Sequence, residues 1–110
     1  MKSHIAEIKN DLELLTQIIV KTVPTEQIYL FGSYAYGTPH EGSDIDLYIV
    51  MKSDSDIREL DAIDAANMEI YKRINKPIDL LALKSDKFER KKNDVTMERK
   101  IVREGIKIYG

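Results

Sequence analysis

The chain has 110 residues, a formal net charge of −2 from 17 basic and 19 acidic side chains, and no cysteine. This length predicts one domain spanning residues 1–110, and the missing cysteine excludes disulfides, thiolate metal sites and cysteine nucleophiles. No apolar run approaches the roughly 18 residues of a membrane span, and the charged N-terminus lacks a signal-peptide core. We therefore expect a cytoplasmic protein with no membrane association.

The first half of the chain predicts one helix and two strands. Apolar residues at spacings of three and four over residues 3–22 predict an amphipathic helix that ends near Pro24. A short buried-type strand, 28–31, runs directly into Gly32, and the turn-rich segment 33–43 follows it. Residues 45–51 then form the strongest strand pattern in the sequence.

The second half continues this alternation. A helix is predicted over 56–74, with Asp56 as its N-cap, followed by a strand over 78–83. Residues 85–103 read as a helix broken around Asn93, and a last strand covers 106–109. This order predicts an α/β (α+β) fold, in which about four strands form one sheet with helices packed on it.

The charge is unevenly distributed along the chain. Residues 1–83 carry 8 basic and 14 acidic side chains, whereas residues 84–110 carry 9 and 5. A basic run such as 90–92 is usually a solvated helix face, but the segment could also meet an acidic partner, a triphosphate or RNA. Because no aromatic residue interleaves the run, it is not typical of a single-strand platform, and we do not expect direct nucleic-acid binding.

Two aspartates stand at the start of the strongest strand. Asp44 and Asp46 alternate with apolar residues, so both side chains project from one face, roughly 6.5–7 Å apart along the strand. Two carboxylates there repel each other and are costly to desolvate unless a cation is present. Magnesium suits the position, since it prefers oxygen ligands and keeps waters that a phosphate can replace. The second such pair, Asp54 and Asp56, lies among polar residues, and helix capping accounts for it without a metal.

Asp79 is a single acid in an otherwise apolar strand. Such a residue is unusual unless it is paired or bound to metal, although it could also be a solvated strand end. If its strand lies beside 45–51, Asp79 can reach Asp44 and Asp46. Three carboxylates can hold two Mg²⁺ ions at a spacing that serves in-line phosphoryl displacement.

Gly32 and Ser33 follow directly after a strand. A glycine there lets the backbone approach a phosphate closely, and the next helical turn offers free N–H groups. The Ser33 hydroxyl can donate to a phosphate oxygen. Gly32 and Gly37 also match the opening of a P-loop, but Thr38 stands where that motif requires lysine, so a P-loop NTPase is excluded.

These motifs together resemble one known family. The combination of Gly32-Ser33, Gly37, the run 43–47 (Ser-Asp-Ile-Asp-Leu) and the strand residue Asp79 resembles the DNA polymerase β-type nucleotidyltransferase superfamily. Within it, the chain looks like the minimal nucleotidyltransferase (MNT) domains of prokaryotes, which include the antitoxins of HEPN/MNT toxin–antitoxin pairs. The resemblance covers nearly the whole chain, and the combined pattern is far more specific than any part of it.

The resemblance implies an activity and roles for six of the motif residues. A nucleoside monophosphate is transferred from an NTP, with two Mg²⁺ ions, to an acceptor hydroxyl. Gly32, Ser33 and Ser43 would bind the nucleotide, while Asp44 and Asp46 would ligate both metals. Asp79 would ligate the catalytic metal and help to deprotonate the acceptor.

One departure from the family pattern is visible at Tyr36. Many relatives carry an arginine at this position, where it could bind phosphate or the partner.

The family also implies a partner. Many MNT proteins are antitoxins of a HEPN-domain RNase, so the predicted function is transfer of AMP from ATP to a hydroxyl of that toxin. The alternative is a binding module that neutralises its partner by complex formation, with weak or absent transfer. The set of clustered acids favours the enzyme, and we expect a partner subunit or a homo-oligomer to complete the substrate-binding surface.

Overall fold

The computed structural model describes residues 5–37, 39 and 43–110, and its elements follow the predicted order. In chain order they are helix α1 (Ile5–Thr22), strand β1 (Thr25–Phe31), helix α2 (Ser33–Tyr36), strand β2 (Ile45–Met51), helix α3 (Glu59–Tyr71), strand β3 (Ile78–Lys84), helices α4 (Ser85–Lys91) and α5 (Met97–Glu104), and strand β4 (Ile106–Tyr109). The predicted start of the first helix at residue 3 lies outside the described residues, as do residues 38 and 40–42 of the turn-rich segment.

The strands form one mixed sheet in the order β3-β2-β1-β4. Strand β1 is antiparallel to β2 and to β4, whereas β2 and β3 are parallel. The prediction of a four-stranded sheet with helices packed on it is therefore confirmed. The strand that carries Asp79 does lie beside the strand that carries Asp46, as the candidate site requires.

Helices cover both faces of the sheet. Helices α1 and α3 pack on one face, where the side chains of Leu15, Ile19 and Ala66 meet Leu47 and Ile49 of β2. Helices α4 and α5 pack on the other face, in a cluster of Tyr29, Tyr48, Val50, Phe88 and Ile101. A strand that is covered on both faces is apolar at successive positions and not only at alternate ones. This explains why every residue from Leu47 to Met51 is buried.

Several element boundaries differ from the prediction, including the end of α3, which lies at Tyr71 and not at residue 74. Strand β1 begins at Thr25, three residues early, because its pairing with Met51 of β2 extends the ladder. Helix α3 begins at Glu59, three residues late, so the prediction of Asp56 as its N-cap is wrong. The hydroxyl of Ser55 accepts a hydrogen bond from the Ile57 amide at 3.2 Å, and this turn holds the segment outside the helix.

The predicted break in the third helical segment is confirmed. Helices α4 and α5 are separated by residues 92–96, and Thr96 caps α5 by accepting a hydrogen bond from the Arg99 amide at 3.2 Å. Within the described ranges, no helix is both long and apolar enough to cross a membrane.

Candidate active site

Asp46 and Asp79 are neighbours across two parallel strands. The register of β2 and β3 pairs these two residues directly. Because paired residues on neighbouring strands project to the same side, both carboxylates face the layer of helices α4 and α5. Asp46 is half-buried near the start of β2, whereas Asp79 is exposed near the start of β3.

Asp44 is the third acidic residue near the starts of strands β2 and β3. It lies two residues before Asp46, directly before the first residue of β2, and is exposed. Burial raises the pKa of Asp46 to about 6, and the negative charges of Asp79 and Asp44 contribute to this rise. The charges of Asp44 and Asp79 thus act on the carboxylate of Asp46.

Gly32, directly after β1, brings the backbone close to the carboxylate of Asp46. Its φ of 72° lies in the left-handed region that favours glycine. A β-carbon built on Gly32 would overlap Oδ2 of Asp46 and lie 2.8 Å from its carboxyl carbon. Only glycine therefore allows the loop after β1 and the carboxylate of Asp46 to approach each other this closely.

The short helix α2 follows Gly32 directly and begins with Ser33. The carbonyl of Gly32 accepts hydrogen bonds from the amides of Ala35 and Tyr36, and the carbonyl of Ser33 accepts one from Gly37. Gly37 ends the helix with a φ of 85°. In the described backbone, the amides of Ser33 and Tyr34 take no part in these turn bonds, so they can face a ligand.

Ser43 lies just before Asp44, in the segment that leads into β2, and is half-buried. The structure thus pairs Asp46 with Asp79 and places Gly32 against Asp46, while Ser33 follows Gly32 in the chain and Ser43 precedes Asp44.

Tyr36 extends from α2 toward helix α5. Its pKa is raised, chiefly by burial and by the charge of Glu104, while a hydrogen bond from the backbone of Gly32 lowers it. The ammonium of Lys100 lies over its ring, 4.9 Å from the centroid. Tyr36 therefore joins the loop after β1 to the helix on the opposite side of the site.

Tyr48 anchors helix α5 to the strand that carries the acids. It is 2% exposed, its ring lies 5.4 Å from that of Phe88, and its hydroxyl donates a hydrogen bond to Glu98 at 2.8 Å. Burial and this hydrogen bond both raise the pKa of Tyr48. This tyrosine is a packing residue of the sheet, in agreement with its position in the middle of β2.

The carboxylates of Asp44, Asp46 and Asp79 are suitable ligands for a hard divalent cation. None of the ion pairs among the described residues includes Asp44, Asp46 or Asp79, so their negative charge has no protein cation to balance it. Carboxylate oxygens are the ligands that Mg²⁺ prefers. In the described ranges, no three acidic or imidazole groups are close enough to enclose an ion unaided. Repulsion between like charges favours such separation when no cation lies between them.

Comparison with known proteins identifies the family. The family described as polymerase beta, nucleotidyltransferase matches residues 13–110. The chain therefore belongs to the polymerase β nucleotidyltransferase family. A search of curated proteins finds no significant match.

Solved structures agree on the fold. A mutant of the toxin–antitoxin MntA-HpeT superposes with a TM-score of 0.64 at 22% identity, covering 90% of this chain and 73% of that chain. A toxin–antitoxin structure with AMP-PNP gives the same TM-score at 19% identity, covering 91% and 73%. A protein from Sulfolobus solfataricus, described as a candidate nucleotidyltransferase, gives 0.53 at 26% identity, covering 82% and 81%. The chain thus has a nucleotidyltransferase fold that resembles MntA.

Sequence reasoning did not single out Lys100 or Glu98 as neighbours of the site. The excess of basic residues after position 84 was the available signal, but it did not distinguish Lys100 from eight other cations. Their proximity depends on how α5 packs on the sheet, which no local pattern encodes.

Proposed function

We propose that this chain is a magnesium-dependent nucleotidyltransferase of the cytoplasm that transfers AMP from ATP to a hydroxyl of a protein partner, a HEPN-domain RNase toxin. The observation that carries the proposal is the register pairing of Asp46 with Asp79, beside Gly32, a position at which the carboxylate of Asp46 leaves no room for a β-carbon. Uncompensated carboxylates at this position destabilise the free protein, and binding metal and triphosphate would remove that cost.

The residues take the following roles in this proposal. Asp44, Asp46 and Asp79 hold two Mg²⁺ ions, which when bound neutralise charge on the phosphates and lower the pKa of the attacking hydroxyl. Gly32 and Ser33 hold the triphosphate, with the Ser33 hydroxyl donating to a phosphate oxygen, and Ser43 supports the nucleotide.

The proposed transfer is a single displacement at the α-phosphorus of the nucleotide. The acceptor oxygen forms a bond to the α-phosphorus, the bond from that phosphorus to the β-bridging oxygen breaks, and pyrophosphate leaves. Asp79 helps to take the proton from the acceptor hydroxyl, which makes the oxygen a better nucleophile.

The structural relatives support this choice of substrate and partner. One relative is a toxin–antitoxin with AMP-PNP, an ATP analogue, and another is a toxin–antitoxin MntA-HpeT. The variant solved in the second case carries two Asp-to-Glu substitutions separated by one residue, the same spacing as Asp44 and Asp46.

The experiment incubates the protein with the product of its neighbouring gene, which the proposal expects to be a HEPN-domain protein, together with α-³²P-labelled ATP and Mg²⁺. We expect label on the partner with wild type, and none with Asp44→Asn/Asp46→Asn. The matched control is Asp54→Asn/Asp56→Asn, which removes the same two charges at the same spacing from exposed positions outside the site and should label like wild type. Label that persists in the first variant would contradict the proposed metal site.

A second candidate is a binding module that neutralises its partner without transfer. It is favoured by the separation of the acidic groups, since in the described ranges they form no closed three-ligand cluster. The two functions differ in one outcome. If the Asp44→Asn/Asp46→Asn protein still suppresses the toxin's RNase activity as well as wild type, and no label appears with either, the binding module is correct.

A further inference from the structure

Lys100 on helix α5 holds a positive charge beside the candidate active site. Its ammonium lies over the ring of Tyr36, 4.9 Å from the centroid. None of the ion pairs among the described residues includes Lys100, although Glu104 lies one helical turn further along α5. A cation that rests on an aromatic face and has no carboxylate partner remains available to an anionic ligand.

Tyr36 connects this charge to the loop that precedes the acidic group. It ends helix α2, three residues after Ser33, and its hydroxyl takes part in a hydrogen bond with the backbone of Gly32. The negative charge of Asp46 acts on the same hydroxyl. Tyr36 thus contacts the ammonium of Lys100 with its ring face and the backbone of Gly32 with its hydroxyl.

Lys100 also has space in which to move. It lines an open groove of about 350 Å³ along α5, together with Val95, Thr96, Arg99, Arg103 and Glu104. Its side chain is exposed and flexible, so it can leave the Tyr36 ring and turn toward the loop after β1 without disturbing the packing of α5.

We propose that Lys100 binds the triphosphate of the nucleotide substrate, with the Tyr36 ring holding its ammonium in position while the site is empty. The proposal rests on the function proposed above. A triphosphate placed beside Asp44, Asp46 and Asp79 faces three negative charges, and metal ions offset these only on the side of the strands. A cation on the opposite side, on helix α5, completes the charge balance around the polyphosphate.

The test compares the affinities for MgATP and for AMP of four proteins, measured by isothermal titration calorimetry. We expect Lys100→Ala to weaken MgATP binding about tenfold, the loss of one charge-assisted contact, and to leave AMP binding unchanged. Lys100→Arg keeps the charge and should stay within about threefold of wild type. Lys52→Ala is the control, because Lys52 is an exposed lysine at the opposite end of strand β2 and should have no effect.

A second comparison tests the role of the tyrosine ring. Tyr36→Ala removes the surface on which the ammonium rests, so it should weaken MgATP binding, and Lys100→Ala should add little to that loss in the double variant. Tyr36→Arg should restore affinity to Lys100→Ala, since it returns a cation to the same place. Additive losses in the double variant would overturn the role of the ring.

The other outcomes separate this proposal from the proposed function. If wild type binds MgATP and Lys100→Ala binds it equally well, or loses MgATP and AMP affinity to the same degree, Lys100 is not a triphosphate ligand and the proposed function stands. If wild type binds no nucleotide at all, both proposals are wrong. Circular dichroism of each variant checks that the fold is intact. We expect it to be, because Lys100 lies on the exposed face of α5.

Discussion

Gly32 and Asp46 are so close that a single carbon atom added to the glycine would overlap the carboxylate. The added β-carbon would meet Oδ2 of Asp46, and it would also require a left-handed backbone at φ 72°. The loop after β1 and Asp46, the first acid inside β2, therefore pack so closely that only glycine is accommodated at position 32. In the function proposed above, this close approach would let the backbone after β1 contact a phosphate whose metal ion Asp46 holds.

Gly32→Ala should destabilise the protein and abolish transfer. The left-handed backbone costs a non-glycine residue about 1–2 kcal/mol, and the overlap forces Asp46 away from its position. Urea denaturation measures the loss. In the double variant Gly32→Ala/Asp46→Ala the overlap is gone, so the loss attributable to Gly32→Ala should shrink to the backbone cost alone. Equal losses in the two backgrounds would contradict the steric contact.

Asp46→Asn should stabilise the metal-free protein near neutral pH. The pKa of Asp46 is raised to about 6 in the folded state, so between its ordinary value and about 6 the folded state binds more protons than the unfolded state. The free energy of unfolding therefore falls as the pH rises through this range, and the penalty is fully present at about pH 7. Asparagine removes it. Because the side chain is only half-buried, we expect a gain of ~1 kcal/mol.

The same variant should show no such gain at about pH 4, where Asp46 is already protonated in the folded protein. Urea denaturation in EDTA at the two pH values measures the difference. Asp56→Asn, at an exposed position outside the site, is the control for removing one negative charge. If Asp46→Asn lowers the free energy of unfolding at neutral pH, the electrostatic cost assigned to Asp46 is wrong.

Mg²⁺ should stabilise wild type but not Asp46→Asn/Asp79→Asn. A ligand that binds only the folded state raises the free energy of unfolding, by about 2.7 kcal/mol at a hundred times its dissociation constant. Thermal denaturation with and without Mg²⁺ measures this as a rise in Tm. The double variant lacks the paired carboxylates of β2 and β3, so its Tm should not respond. An equal rise in both proteins would place the ion elsewhere.

Tyr48→Phe should cost about 1.5 kcal/mol of stability. It removes a buried hydroxyl that donates a 2.8 Å hydrogen bond to Glu98, and bonds to charged groups are among the stronger ones. Tyr29→Phe is the matched control, since its ring also packs on Phe88 but its hydroxyl makes only a 3.5 Å contact with Gln27. We expect that control to lose no more than about 0.5 kcal/mol by urea denaturation. Similar losses in the two variants would indicate that the Glu98 bond does not hold α5 in place.

Much of this fold follows from local patterns. Apolar spacing along the chain predicted the order of helices and strands, and the boundaries of β2 agree with the prediction residue for residue. The boundaries that differ are set by partners distant in sequence or by side-chain turns. Thr25 joins β1 because Met51 is there to pair with it, and α3 starts late because Ser55 forms a turn with Ile57.

The sequence by itself determined which residues carry the candidate chemistry. Alternation along a strand places Asp44 and Asp46 on one face, and a glycine followed by a serine after a strand indicates a phosphate-binding loop. These are local properties, because they depend only on the geometry of a few consecutive residues.

The tertiary structure alone decided what those residues meet. The parallel pairing of β2 with β3 brings Asp79 to Asp46 across more than thirty residues of chain, and the packing of α5 brings Lys100 over Tyr36. Neither contact is encoded in a local repeat, since strand order and helix placement follow from burying apolar faces on both sides of the sheet. Burial of apolar surface across the whole chain, and no single motif in it, therefore decides the Asp46–Asp79 pairing and the contact of Lys100 with Tyr36.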